Sequence, residues 1–183
     1  MSQDLLAPQR DVEVERAGRW VDEQIAKGAP LREMLAGLAT AAEQIAGEGC
    51  VASILLLDDE GLLRNAASPN LPADYPDAID RLRPDPGLGT CAAAAATGEI
   101  VLTPDFESDD KWAELKHLPL SIGYRAAWSM PIKNQRGRVL GTFGTYYPDR
   151  RSPTPQEIEA VARLVALAAR ALAARSIEPE SCT

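Results

Sequence analysis

Basic charge, sulfur and imidazole are all scarce in this chain of 183 residues. Lys and Arg number 19 against 27 Asp and Glu, a formal net charge of -8. Such a surface repels phosphate backbones and anionic lipid, so neither nucleic acid nor membrane is an expected partner. No apolar run approaches the ~20 residues that spanning a bilayer demands. Met1–Glu15 is charged from the start and lacks the apolar middle of a signal peptide, so a cytoplasmic protein is expected. Cys50, Cys91 and Cys182 form no CxxC pair, and His117 is the one histidine. That set cannot assemble a convincing zinc site, and an odd trio argues against a disulfide framework. What is present, 45% hydrophobic and 25% charged residues, fits one compact domain able to bury a core.

Along the chain, Val12–Lys27 carries Trp20, Val21 and Ile25 among charged residues, an amphipathic helix that Gly28 and Pro30 break. Leu31, Met34, Leu35, Leu38, Ala42 and Ile45 recur at helical spacing until Gly47 and Gly49 stop them. Val51–Leu57 is short and apolar and runs into Asp58-Asp59-Glu60-Gly61, a strand entering a tight turn with Leu62–Ala67 as its hairpin partner. Pro69, Pro72, Pro76, Pro84 and Pro86 make the next section a loop with at most a short helix around Ala73–Leu82. Gly87-Leu88-Gly89-Thr90 then opens an alanine-rich helix, Cys91–Ala96, closed by Gly98.

Ile100–Thr103 reads as a brief strand and Asp109–Ile122 as a helix ending near Gly123. Arg125–Ile132 and Arg138–Tyr147 are β-rich and joined by Lys133-Asn134-Gln135-Arg136-Gly137, the grammar of a hairpin in an antiparallel sheet. The last helix is the most sharply marked: Thr154 caps it, Pro155 takes its first position and Glu157 completes a capping box. Its apolar line Ile158, Val161, Val165, Ala168 and Leu172 is widened by Leu164, Leu167 and Ala171 beyond what one sheet face uses, which predicts a partner helix. Residues 1–29 are thus expected to be a helical extension, 30–176 the domain and 177–183 a frayed tail.

The segments Pro84–Cys91, Ala96-Thr97-Gly98-Glu99, Trp112-Ala113, Gly123–Ile132 and Gly137–Tyr147 occur in an order and spacing that resemble a GAF domain. The likeness is to the branch of bacterial sensor kinases and cyclic-di-GMP signalling proteins, where PGxGSCG, RAxWSxPI and GxVLGTFxxYY are followed by RxPTPxE, here Arg151–Glu157. It covers roughly Leu31 to Arg175. One departure is Ala92, where the pattern has glycine, which would narrow a backbone approach to a ligand there. The resemblance implies an α/β (α+β) domain with a central antiparallel sheet of about six strands. Terminal helices would cover one face, and on the other a cap between Pro69 and Tyr124 would roof a ligand pocket. It further implies a small molecule or small anion as ligand, a homodimer formed through the terminal helices, and output to a histidine kinase or other signalling protein.

Candidate site residues follow from chemistry and from that frame. Gly87-x-Gly89 before a helix leaves the first amides without internal acceptors at the positive end of the dipole, a seat for an anion or carbonyl. The same glycines could simply allow a sharp turn, with Thr90 as cap. Cys91 at that helix start would have a lowered pKa if partly exposed, opening redox chemistry, whereas small buried cysteines are commoner. A GAF branch that reduces free methionine sulfoxide uses several thiols, but Cys50 opens a strand and Cys182 is in the tail. No nucleophile, base and orienting group stand together, so no enzyme activity is expected.

One unpaired His117 disfavours haem, the segment Asp109–Ile122 lacks the cysteine that bilin attachment requires, and the NKFDE signature of cyclic-nucleotide binders is missing. The cofactor is therefore unknown. Tyr75, Trp112, Trp128, Tyr146 and Tyr147 could line a pocket or fill a core, and strand alternation leaves either Arg125, Ala127, Ser129 and Pro131 or Ala126, Trp128, Met130 and Ile132 facing the pocket. Ser53 places a hydroxyl in an apolar strand, where it needs a ligand, water or carbonyl partner. The expected ligand-binding set is Gly87, Leu88, Gly89, Thr90, Cys91, Tyr75, Trp112, Trp128, Ser53 and Tyr146.

Overall fold

A computed structural model describes residues 7–175; the expected tail and Cys182 lie outside them. Helices α1 (Ala7–Ala26) and α2 (Leu31–Ala46) lead into strands β1 (Val51–Leu57) and β2 (Leu63–Ala67). Then come α3 (Asp74–Ala78), α4 (Gly89–Thr97), β3 (Val101–Thr103), a 3-10 turn at Asp110–Trp112 and α5 (His117–Ser121). Strands β4 (Ala126–Lys133) and β5 (Val139–Tyr147) and helix α6 (Pro155–Arg175) complete the order. The strands form one antiparallel sheet in the order β2-β1-β5-β4-β3, five strands against the expected six or so.

Local chemistry sets the turns. Asp58 accepts from the amides of Glu60 and Leu62 and closes the β1–β2 turn, and Asn134 accepts from those of Arg136 and Arg138 in the β4–β5 turn. Thr154 and Glu157 exchange hydrogen bonds at the start of α6, Glu157 N to Thr154 Oγ1 at 3.1 Å and Thr154 N to Glu157 Oε2 at 2.7 Å. The helix expected over Asp109–Ile122 is instead two short pieces. Pro119 one turn above Leu115 would press its ring on the Leu115 carbonyl, so a continuous helix cannot run through.

Strand alternation sorts the core. Ala52, Ile54, Trp128, Met130, Ile132, Phe143 and Tyr147 face α2 and α6, while Val51, Leu55, Ala127 and Tyr146 face α4 and the lid, the loops and short helices around it between residues 69 and 124. The surplus apolar width of α6 is covered by α1 of the same chain, which buries Val14, Ala17 and Val21 there and adds the pairs Asp11–Arg163 and Asp22–Arg170. Trp20 packs on α2, where a Cβ on Gly37 would come within 2.4 Å of its ring.

At the head of α6, Arg151 makes two hydrogen bonds to Glu157, which is 2% exposed, and donates to the Ala46 carbonyl that ends α2. Its guanidinium stacks 3.6 Å from the Tyr147 ring centroid, and the Tyr147 hydroxyl accepts from Trp128 Nε1 at 2.8 Å. The RxPTPxE segment thus fastens α6 to the sheet and to α2.

Candidate functional site

The face of the sheet away from α1 and α6 carries a row of small residues. Ser53 on β1, Gly144 on β5 and Ser129 on β4 stand side by side in register. A Cβ on Gly144 would lie 3.1 Å from Cys91 Sγ, 3.2 Å from Ser53 Oγ and 3.3 Å from Ser129 Oγ. This floor lets α4 come down close, and the alanine run is the matching surface: Ala92, Ala93, Ala94 and Ala95 are all buried. The alanines serve helix-to-sheet contact rather than helix propensity alone.

The start of α4 aims at a space walled by Leu55 and Tyr146 of the sheet and by Ile79, Leu82, Trp112 and Leu115 of the lid. Gly89 enters the helix at φ 65, a left-handed conformation that suits glycine, with the Trp112 ring 3.5 Å from where a Cβ would sit. Leu88 occupies the N-cap position and no side chain caps the helix. Thr90 lies one step inside and accepts from Ser129 Oγ at 3.0 Å, so it is not the cap that the alternative reading expected. The space left open is about 10 Å³, at the threshold for one water molecule. Among the described residues, none that lines it is charged.

Three hydroxyls on this side are buried without a hydrogen-bond partner: Ser53, Tyr75 and Thr142. Ser53 and Tyr75 point toward the Tyr146 hydroxyl, yet neither reaches hydrogen-bond geometry with it. The Tyr75 and Tyr146 rings meet edge to face with centroids 5.6 Å apart, and Tyr124 packs on Tyr146 at 6.0 Å. Burial raises both the Tyr75 and Tyr146 phenols, so they stay protonated at neutral pH. Burial likewise pushes the Cys91 thiol up, against the neighbouring hydroxyls of Ser129, Thr142 and Thr90, which pull it down. The lowered pKa foreseen for a partly exposed Cys91 is therefore replaced by a raised one, because the thiol is buried and touches Ser129 Oγ at 3.0 Å.

The sequence-predicted residues divide cleanly. Leu88, Gly89, Thr90, Cys91, Trp112 and Tyr146 line the space together, with Tyr75 packed on Tyr146 and Ser53 on the same sheet face. Gly87 is exposed and its amide donates to Asp85 Oδ1, one step outside. Trp128 is not with them: it belongs to the set facing α2 and α6, where it bonds Tyr147. His117 is exposed at the start of α5. Sequence reading left Ser129 open as one of two alternating β4 sets and missed Thr142 and Gly144, whose small size in a strand was the available signal, and Ile79, Leu82 and Leu115 of the lid.

A family model described as GAF domain matches residues 28–173. A sensor associated with methyl sulfide methyltransferase in Methanosarcina acetivorans is 33% identical over 138 residues, covering 75% of this chain and 14% of that protein. The chain thus spans a small part of that curated relative. A domain of a two-component sensor histidine kinase protein from Sinorhizobium meliloti superposes with TM-score 0.68 at 22% identity, over 81% of this chain and 94% of its own. The free methionine-R-sulfoxide reductase of Neisseria meningitidis gives 0.74 at 18%, covering 96% and 95%. The GAF domain of the Acinetobacter phosphoenolpyruvate-protein phosphotransferase gives 0.69 at 17%, covering 99% and 100%. These structural likenesses concern the fold alone.

Proposed function

The chain belongs to the GAF domain family, and on that premise we propose that it is a sensor that takes a small molecule into the space beneath the lid and relays its presence to a signalling partner. One observation carries the reading: the unpartnered hydroxyls of Ser53, Tyr75 and Thr142, buried on the pocket side. Nearly all buried polar groups in folded proteins are hydrogen-bonded, and leaving one unpaired costs about 1–3 kcal/mol. A ligand that pairs them recovers that cost, and the uncapped start of α4 supplies further donors.

Because the remaining space holds no more than about one water, binding requires the lid to move. The signal is then a shift between closed and open lids, whose size equals the difference in ligand affinity between the two. The described thiols do not support thiol catalysis: Cys91 is buried with its thiol pushed up, and Cys50 lies apart, just past α2, with its Sγ toward the Ala46 carbonyl. A second reading, a scaffold that binds nothing, is favoured by the filled pocket itself. Native mass spectrometry after gentle desalting separates the two. A copurified compound that the Ser53→Ala/Tyr75→Phe variant no longer holds supports the sensor; a bare chain that no compound of a broad panel stabilises leaves the scaffold.

A further inference from the structure

We propose that the Trp112 indole is the resident occupant of a seat for a flat, uncharged aromatic heterocycle bearing a ring N–H, and that ligand binding exchanges with it. This rests on the sensor reading above and names its ligand class. The indole lies on the bare backbone of Gly89 and against the Phe106 ring, with centroids 4.4 Å apart, and is 3% exposed. A flat ring is what the bare Gly89 backbone fits, with Phe106 closing the seat at an interplanar angle of 59°.

The polar end of the seat is more selective. Trp112 Nε1 donates to Thr103 Oγ1 at 3.1 Å, and Thr103 Oγ1 donates its own proton to Asp109 Oδ2 at 2.7 Å. With that proton committed, the threonine oxygen can only accept, so the seat asks its occupant for a donor. Lys111 Nζ holds Asp109 from both oxygens, at 2.9 and 2.8 Å, and keeps it an acceptor. That ion pair is internally balanced, and no charged side chain lines the space among the described residues, so an uncharged ligand is favoured.

The indole is carried on a 3-10 turn of three residues in the lid, not on a strand of the sheet, so it can leave without breaking strand pairing. While it stays there is no room for a second ring. A tethered indole competes at high effective concentration, and the incoming ligand gains its advantage from the unpaired hydroxyls of Ser53 and Thr142 on this sheet face and of Tyr75 on α3.

The test uses the full chain with Trp112→Ala and two probes of the same shape, indole and benzofuran, which differ by the ring N–H. Indole is expected to bind about tenfold more tightly, one hydrogen bond's worth, and Thr103→Val in the same background should erase the difference. Should Trp112→Ala fail to fold, Trp112→Leu with pyrrole against furan asks the same question. In the wild type, hypoxanthine should raise the melting temperature and shift tryptophan emission to longer wavelength as the indole enters water. Equal affinity for both probes, or none, overturns the seat, and stabilisation of the wild type by nitrate would then still leave the sensor reading standing. Selective indole binding by the variant, with no effect of hypoxanthine on the wild type, overturns the exchange. If the wider panel fails as well, the sensor reading falls with it.

Discussion

Tyr75→Phe and Tyr147→Phe remove the same atom from two buried phenols, and the structure assigns them opposite signs. The Tyr75 hydroxyl has no hydrogen-bond partner and sits on a residue 3% exposed. Deleting it removes a desolvated group whose burial costs about 1–3 kcal/mol and leaves the edge-to-face contact with Tyr146 intact. Stability should rise by roughly 1 kcal/mol, or about 2–4 °C in melting temperature for a chain of this size. The Tyr147 hydroxyl accepts from Trp128 Nε1, and both residues are fully buried. Its deletion orphans an indole N–H and should cost about 1–2 kcal/mol, while the stacking of Arg151 on the ring survives. Paired urea and thermal denaturation of the two variants reads the signs directly. If Tyr75→Phe destabilises as Tyr147→Phe does, its hydroxyl already has a partner, and the principal reason for a ligand in the pocket disappears.

Other expected outcomes follow from the same geometry. Gly141→Ala places a Cβ 2.2 Å from the Leu55 carbonyl oxygen, a backbone atom at a β1 irregularity that has nowhere to go, so the variant should lose about 3 kcal/mol or fail to fold, read by circular dichroism and urea titration. Arg151→Met leaves the nearly buried Glu157 carboxylate without its cation, and, discounted for the partial exposure of Arg151, should cost about 2–3 kcal/mol, with Arg151→Met/Glu157→Gln recovering part of it. Native Cys91 should resist alkylation at pH 8 and react once the chain is unfolded. Since folding raises its thiol above the ordinary value of 9.0, the folded state holds the proton more tightly, and stability should be level below pH 9 and decline above it. A Cys91→Ala variant should show a shallower alkaline decline in denaturation curves taken from pH 7 to 10.

Much of this molecule is legible in its sequence where one local rule decides. The capping box at Thr154 and Glu157, the Asp58 and Asn134 turns and the glycine entry to α4 each depend on a few neighbouring residues, and each forms. The face assignment of β4 depended on which helices lay where, information that period-two alternation does not hold, so Trp128 stood equally for pocket and core until the register with β5 placed it. The break of Asp109–Ile122 was foreshadowed by Pro119, but the inward turn of Trp112 required Thr103 and Phe106, which come from outside that segment. The surplus width of α6 correctly called for a partner helix. That α1 of the same chain would meet it is a tertiary outcome.

A thermal-shift titration run side by side on the wild type and on Ser53→Ala/Tyr75→Phe/Thr142→Val tests the central claim most directly, with uncharged heterocycles, nitrate, nitrite, nucleotides and haem as the panel. The account predicts that at least one compound stabilises the wild type in a concentration-dependent way, about 2.7 kcal/mol at a hundredfold excess over its dissociation constant. It also predicts that the triple variant starts from a higher melting temperature and gains little from the same compound. A wild type that no compound stabilises, beside a triple variant that melts lower, would contradict it.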